Sequence, residues 1–400
     1  MHLALDLVLG AAGVALLLPV LVLLAESLAA LLPEGTDAAP SEASPPRIAV
    51  LVPAHDEEGS VEDTVRALRA ELPPHARLIV IADNCRDRTA ELAAQAGAVV
   101  VERRDPERVG KGFAISFGLR YLDADPPDVV ILIDADCRIS DGGFGKLAEW
   151  AVRTGRPVQA EYVLTAPPGS GRVGGIGALA VLIRNRVRPR GLRRLGLPCH
   201  LTGSGMAFPW RLLRDAPETG SNLVEDLVLG IELALRGTPA LSCPGVQILS
   251  ELPVGAGDSR NQRRRWEHGH LHVLTVYVPR LLTAGVVRRR VDLLALGLDL
   301  AVPPLALLVL AQLGLLAITA LLAILGVVSL VPVSLAAAGL ALTTFSVAAS
   351  WSRFGRQTVS LKHLLLVPVY LVWKIPLYVD LALRGKTKKW ERTARGPSKG

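Results

Sequence analysis

Val129-Val130-Ile131-Leu132-Ile133-Asp134-Ala135-Asp136 is a run of five apolar residues closed by two aspartates. A run so short and so solidly apolar reads as a strand buried on both faces, the kind that parallel sheets contain. In extended chain, residues two apart point to the same side, so both carboxylates can face one ligand at the strand exit. Hard oxygens of this kind suit Mg²⁺ or Mn²⁺ bridging a diphosphate. The plainer alternative is a pair of turn-forming aspartates after a strand.

Upstream, residues 48–52, 78–82 and 98–101 are further apolar runs of strand length. They alternate with helical patterns over 60–72, 87–96 and 110–122, so an α/β domain with a mostly parallel central sheet is expected. Ser60-Val61-Glu62-Asp63 has the spacing of a capping box and opens the first of these helices. Ligands of open parallel sheets bind beyond the carboxyl ends of the strands. Three such ends carry acids here: His55-Asp56-Glu57-Glu58, Asp83, and Asp134 with Asp136. Their convergence on one edge marks a site for a metal or a polar, sugar-like ligand.

Four further segments bear on chemistry. Gly110-Lys111-Gly112 is either a phosphate-contacting lysine or a solvated loop, and it is not a Walker A sequence. Gly203-Ser204-Gly205 precedes a short apolar strand and either admits a substrate closely or makes a turn. Val224-Glu225-Asp226 opens an apolar helix; acids in a first turn suit the helix dipole, and a carboxylate there can also act as a general base. Gln262-Arg263-Arg264-Arg265-Trp266 precedes His268, His270 and His272. Those histidines spread around a helix, so they read as surface or interfacial rather than as metal ligands.

The rest of the chain is unusually apolar. Half of the 400 residues are apolar and only 20% are charged, too few for a plain soluble protein and too many for one wholly in a membrane. Residues 7–25 carry no charge over 19 positions, enough for one helical span. No basic segment precedes them, so a retained span is expected rather than a signal peptide. Residues 300–352 hold 53 positions without a charge, which accommodates two spans with a break near 326–332. Pro303 and Pro304 separate the first of these from an amphipathic stretch, and 364–379, interrupted by Lys374 and Pro376, reads as interfacial or re-entrant. The expected organisation is an N-terminal transmembrane helix (1–32), a linker (33–46), a cytoplasmic catalytic domain with interfacial helices (47–290), a membrane region (291–383) and a basic cytoplasmic tail (384–400). Arg288 to Arg290 and the basic tail both face the cytoplasm by the positive-inside rule.

Forty-four basic residues against 37 acidic give a net +7, which suits an anionic partner. Aromatics at 4% leave little material for stacking bases, so nucleic acid is not the expected partner. Arg184, Arg186, Arg188, Arg190, Arg193 and Arg194 instead read as lying on anionic membrane lipids. Cys85, Cys137, Cys199 and Cys243 lack the spacing of a zinc site or a disulfide scaffold.

In chain order, the motifs resemble the membrane-bound family 2 glycosyltransferases, the group containing cellulose, chitin, hyaluronan and poly-N-acetylglucosamine synthases. The matching residues are Val52-Pro53-Ala54-His55-Asp56-Glu57, Asp83-Asn84, Gly110-Lys111-Gly112, Asp134-Ala135-Asp136, Gly203-Ser204-Gly205, Val224-Glu225-Asp226 and Gln262-Arg263-Arg264-Arg265-Trp266. Lys389-Trp390-Glu391-Arg392-Thr393 also looks like the tail of such enzymes. The resemblance implies a GT-A fold and an inverting hexosyltransferase that takes a nucleotide-diphosphate donor, a UDP-sugar, and a glycan or lipid-linked acceptor. It places the enzyme at the cytoplasmic face of a bacterial inner membrane. By the same resemblance, Pro53, Ala54, Asp56, Glu57 and Asp83 would hold uracil and ribose, and Lys111 would lie near the nucleotide or donor sugar. Asp134 would contact the donor side and Asp136 would coordinate Mg²⁺ or Mn²⁺. Gly203, Ser204 and Gly205 would shape the acceptor site, with Asp226, beside Glu225, as the base. Gln262, Arg265 and Trp266 would bind the pyrophosphate and stack on the acceptor sugar.

Two features depart from the family pattern: valine stands at position 224 where threonine is frequent, and the expected spans are fewer than in the large synthases. A transferase adding one sugar to a lipid-linked acceptor is therefore the alternative. A membrane-anchored dinucleotide enzyme is disfavoured by the absence of G-x-G-x-x-G after the first strand. A transporter is disfavoured because the uncharged spans hold no ionisable relay.

Overall fold

The computed structural model describes residues 2–33, 44–165, 171–216, 224–251 and 256–384, with the side chains of 171–174, 256–266 and 381–384 outside the described set. The chain divides into two units. One comprises Met1–Pro33, Gly171–Gly196 and His270–Thr387; the other comprises Glu34–Ser170, Leu197–Gly269 and Lys388–Gly400.

The second unit is built on one sheet of eight strands: β1 (Ile48–Ala54), β2 (Arg77–Asp83), β3 (Val99–Arg103), β4 (Val129–Leu132), β5 (Arg138–Ile139), β6 (Val158–Thr165), β7 (Met206–Pro209) and β8 (Leu241–Glu251). Their order is β3-β2-β1-β4-β7-β6-β8-β5. The four strands expected from apolar runs form the parallel half, with Val50 opposite both Leu78 and Ile131. Leu51, Ile79, Ile81, Val130 and Leu132 are wholly buried in a core shared with Phe208 and Leu233. Each such side chain contributes about 1.5–3 kcal/mol on leaving water. Strand β7 runs against both β4 and β6, and this reversal is the feature that assembles the site.

Helix Lys111–Leu122 crosses the parallel half at very short range. A Cβ at Gly118 would sit 2.5 Å from Cδ1 of Ile81, so only glycine allows this approach. Lys111 is thereby held at the end of the helix that lies over the sheet. The expected capping box is not formed: Ser60 sits at the N-cap without a side-chain capping bond. Its hydroxyl donates instead to the Glu57 carboxylate, at 3.1 Å.

The first unit is helical. Among the described residues, four helices are long and apolar enough to cross a membrane: His2–Ala30, Glu267–Val287, Leu305–Ile324 and Leu330–Gly355. The second of these was not among the spans expected from sequence, because Arg280 and three histidines dilute it. The break between the last two falls after Leu325, where Gly326 adopts φ +70.

The arginine-rich segment is a helical run, Gly171–Leu182, a π-helical turn at Ile183–Val187, and Arg188–Arg194. It is not the uniformly lipid-facing surface that the sequence suggested. Arg188 is buried, donating to Glu26 at 2.7 Å and also pairing with Asp299. Those acids lie far away in sequence, which is why a local reading found none. The histidines also differ from expectation: His268 and His270 are buried, and His270 Nδ1 lies 3.2 Å from the Arg184 guanidinium.

Candidate active site

The exit of β4 and the entry to β7 lie side by side, because antiparallel neighbours place opposite ends together. The Leu132 carbonyl accepts from the Gly205 amide at 2.9 Å, and the Asp134 amide donates to the Ser204 hydroxyl at 3.1 Å. The loop is fastened from a third strand by Gln159. Its amide nitrogen donates to the Ser204 carbonyl and its oxygen accepts from the Thr202 amide, at 2.8 and 2.9 Å.

Lys111 joins the two halves. Its ammonium lies 2.5 Å from Asp134 Oδ1 and donates to the Gly203 carbonyl at 2.6 Å. Asp226 comes from the first turn of helix Glu225–Leu235, with Oδ2 only 3.3 Å from where a Cβ on Gly203 would stand. Gly203 has φ +93, so both backbone conformation and crowding require glycine here. Lys111, Asp134, Asp136, Gly203, Ser204, Gly205, Glu225 and Asp226, widely separated in sequence, thus form one site.

The electrostatics follow from three carboxylates converging on one cation. Burial alone would lower the Lys111 pKa, but the charges of Asp134, Glu225 and Asp226 outweigh it and push the ammonium above its ordinary value. Glu225 is pushed up to about 7 by burial, with Asp226 adding to the rise and Lys111 opposing it. A cavity of about 220 Å³ opens beside these groups, floored by Leu132, Met206 and Leu229 and reaching Arg120 and Arg214.

Asp136 is oriented from β8, where the Ser250 hydroxyl donates to its Oδ2 at 2.7 Å. Asp134, Asp136 and Cys137 present ligand atoms within 4.8 Å of one another. The buried Cys137 thiol is pushed up by desolvation and stays protonated, so the pair of carboxylates is the part of this group that suits a hard cation. The site already accommodates a cation, since Lys111 sits on Asp134.

The residues expected on the nucleotide side lie on the adjoining strand ends. Pro53 and Ala54 close β1, and Asp56 and Asn84 follow β1 and β2 in left-handed backbone, φ 52 and 53. Such conformations in non-glycine residues cost energy and gather at functional edges. Here they are fastened together: Asp56 Oδ1 accepts from the Arg86 amide at 2.7 Å, the Glu57 amide donates to Thr89 Oγ1 at 2.7 Å, and His55 Nδ1 lies 2.6 Å from the Asp83 carbonyl. Asp83 itself is buried and bound by Arg103 at 2.5 Å and by Asn84 at 3.1 Å. Burial raises its pKa against the pull of Arg103.

Gln262, Arg265 and Trp266 fall on helix Ala256–Val287, and their side chains lie outside the described residues, as does the segment Lys389 to Thr393. Gln159, Ser250 and Arg103 were missed by sequence reasoning. Arg103 ends a strand and had a signal of position; Gln159 and Ser250 had none, because only strand pairing brings them in.

A mixed sheet of this order, flanked by helices, is a GT-A-like fold. The chain belongs to the family described as Glycosyltransferase like family 2, whose model matches residues 45–269, and it is a glycosyltransferase. It is 32% identical over 94 residues to the low-salt glycan biosynthesis hexosyltransferase of Haloferax volcanii, a match spanning 23% of this chain and 21% of that protein. Among solved structures, it is similar to a mannosyltransferase of Pyrobaculum calidifontis in complex with GDP-Man and Mn²⁺. That likeness has 17% identity and a TM-score of 0.53 over 94% of this chain and all of the other. A glucosyl-3-phosphoglycerate synthase of Mycobacterium tuberculosis, solved with Mn²⁺, UDP and phosphoglyceric acid, matches at 27% identity over 49% of this chain and 68% of its own, with a TM-score of 0.34.

Proposed function

We propose that this glycosyltransferase is an inverting, metal-assisted enzyme at the cytoplasmic face of a cell membrane, moving a sugar from a nucleotide-diphosphate donor, a UDP-sugar, to a growing glycan. The observation that carries the reading is the convergence of Lys111, Asp134, Gly203 and Asp226 around one point. Pro53, Ala54, Asp56, Glu57 and Asp83 form the nucleotide side of the edge. Asp134 and Asp136 would hold Mg²⁺ or Mn²⁺, which when bound offsets charge developing on the leaving diphosphate. Asp226, beside the cavity, takes the proton of the incoming hydroxyl. A single displacement inverts the anomeric carbon, so an α-linked donor gives a β-glycoside. Gly203 to Gly205 lets the acceptor approach the backbone closely, and Gln262, Arg265 and Trp266 are assigned to the pyrophosphate and the acceptor sugar.

Glycan biosynthesis in the Haloferax relative is in keeping with a glycan acceptor. The candidate membrane spans support membrane attachment. A second reading, one sugar added to a lipid-linked acceptor, is favoured by the small number of those spans. Product length separates the two.

The test is a donor screen with purified protein, reading released nucleoside diphosphate. Asp226→Asn should lower turnover by roughly 10²–10⁴ while donor binding persists. Wild-type turnover in a folded Asp226→Asn protein would remove the base assignment.

A further inference from the structure

Helix Leu330–Ser350 leads into a π-helical turn, Trp351–Gly355, at the end of the candidate span Leu330–Gly355. Phe354 in that turn is surrounded by guanidinium groups. Arg190 lies 5.5 Å from the ring centre, and Arg186 and Arg353 each lie 5.8 Å away. Arg186 and Arg190 are four residues apart and share a helix face. Arg353 comes from a segment more than 160 residues later, so folding alone unites the three.

The arrangement is fixed by apolar packing beneath it. Leu182, Ile183 and Val187 of the arginine-bearing helix pack in one cluster with Val20, Leu23 and Val359, against which Trp351 and Phe354 also rest. A Cβ on Gly355 would come within 2.8 Å of Leu179, so the two segments are in close contact. Arg190 and Arg186 are partly buried and Arg353 is exposed, so the basic cluster is in part open to the surface. Burial, and then the charges of Arg194, Arg353 and Arg193, push the Arg190 guanidinium below its ordinary pKa.

Like charges drawn together over an aromatic ring suit a compact dianion or monoanion, which guanidinium groups bind in bidentate fashion. Aromatic and basic side chains at the end of an apolar span are the residue types that meet lipid head groups. We propose that Arg186, Arg190 and Arg353, gathered around Phe354, bind the phosphate of a membrane lipid's head group. This rests on reading the apolar helices as membrane spans, and its test is independent of glycosyl transfer.

The full chain, purified in non-ionic detergent, is followed by thermal denaturation with dodecyl phosphate, dodecanol or inorganic phosphate. Dodecyl phosphate should raise the midpoint saturably, and the other two should not. Arg190→Gln with Arg353→Gln should weaken half-saturation by roughly 25-fold, about fivefold for each arginine. Stabilisation by nucleotide diphosphate with Mn²⁺ should persist in this variant, separating its failure from that of the transferase reading. If the double variant does not fold, Arg353→Gln alone, altering an exposed side chain, should give the fivefold loss. Undiminished affinity in the folded variants, no response to dodecyl phosphate, or equal protection by inorganic phosphate would each overturn the proposal.

Discussion

Gly205→Ala is expected to destabilise the catalytic unit through two separable effects. The backbone there has φ +71, and placing an L side chain in that region costs about 1–2 kcal/mol. The added methyl would also stand 2.2 Å from Cγ1 of Ile248 and 3.0 Å from the Ala160 Cβ. Both neighbours are buried, so the overlap forces side-chain or backbone shifts worth about 1–3 kcal/mol. Together these amount to about 2–5 kcal/mol, or roughly 4–20 °C in melting temperature for a unit of this size. Thermal denaturation in detergent, followed by tryptophan fluorescence, measures the total. Combining Gly205→Ala with Ile248→Ala isolates the overlap: the double variant should be more stable than the sum of the singles predicts by about 1–3 kcal/mol. The backbone share should remain. A Gly205→Ala protein melting within about 2 °C of wild type would refute the reasoning, and strict additivity would refute the steric part of it.

The other expectations concern charge. Glu225, raised from 4.5 to about 7, remains protonated in the folded state over a range where the unfolded chain has ionised. Its effect on stability is therefore nil below pH 4.5, becomes unfavourable as pH rises through the window to about 7, and is constant above it. Allowing for partial solvent access, Glu225→Gln should gain about 1–2 kcal/mol at pH 8 and almost nothing at pH 4, read from paired melting curves. An equal gain at both values would exclude this carboxyl as the cause. If the ionised form serves the reaction, wild-type kcat/KM should also rise through about pH 7, a limb that Glu225→Gln should lack. Arg103→Met leaves the buried Asp83 carboxylate without its main partner and should cost about 3–5 kcal/mol. Adding Asp83→Leu should recover most of that loss in the same melting assay; no recovery would show that Arg103 acts through its bonds to Asp105 and the Arg108 carbonyl instead.

The parallel half of the sheet could be read directly, because strands buried on both faces are written as continuous apolar runs, as in Val129-Val130-Ile131-Leu132. Lys111, Asp134 and Asp226 could be singled out as candidates, since each stands at the end of a regular element beside glycine or an apolar run, but only the family resemblance gave them roles. The other half, where β7 and β5 run antiparallel to their neighbours and β6 runs parallel to β8, was less visible. Only the short strand at Met206 was anticipated; β6 and β8 carry polar residues such as Gln159 and Ser250 at inward positions, and β5 is only two residues long. Those side chains are satisfied by partners that only the register supplies. The Arg188 pairs with Glu26 and Asp299 were hidden for the same reason: sequence distance conceals a charge's partner, so local counting took a buried knot for a surface.

Strand β7, running against β4, has a consequence for redesign. The carboxylates assigned to the donor and the glycine loop assigned to the acceptor share backbone hydrogen bonds at Leu132 and Gly205. They are inherited as one rigid splice rather than as two adjustable parts. Exchange of residues 129–136 alone with those of another transferase should leave the incoming turn facing a foreign loop. A graft of sugar preference is expected to succeed only when 199–210 travels with it.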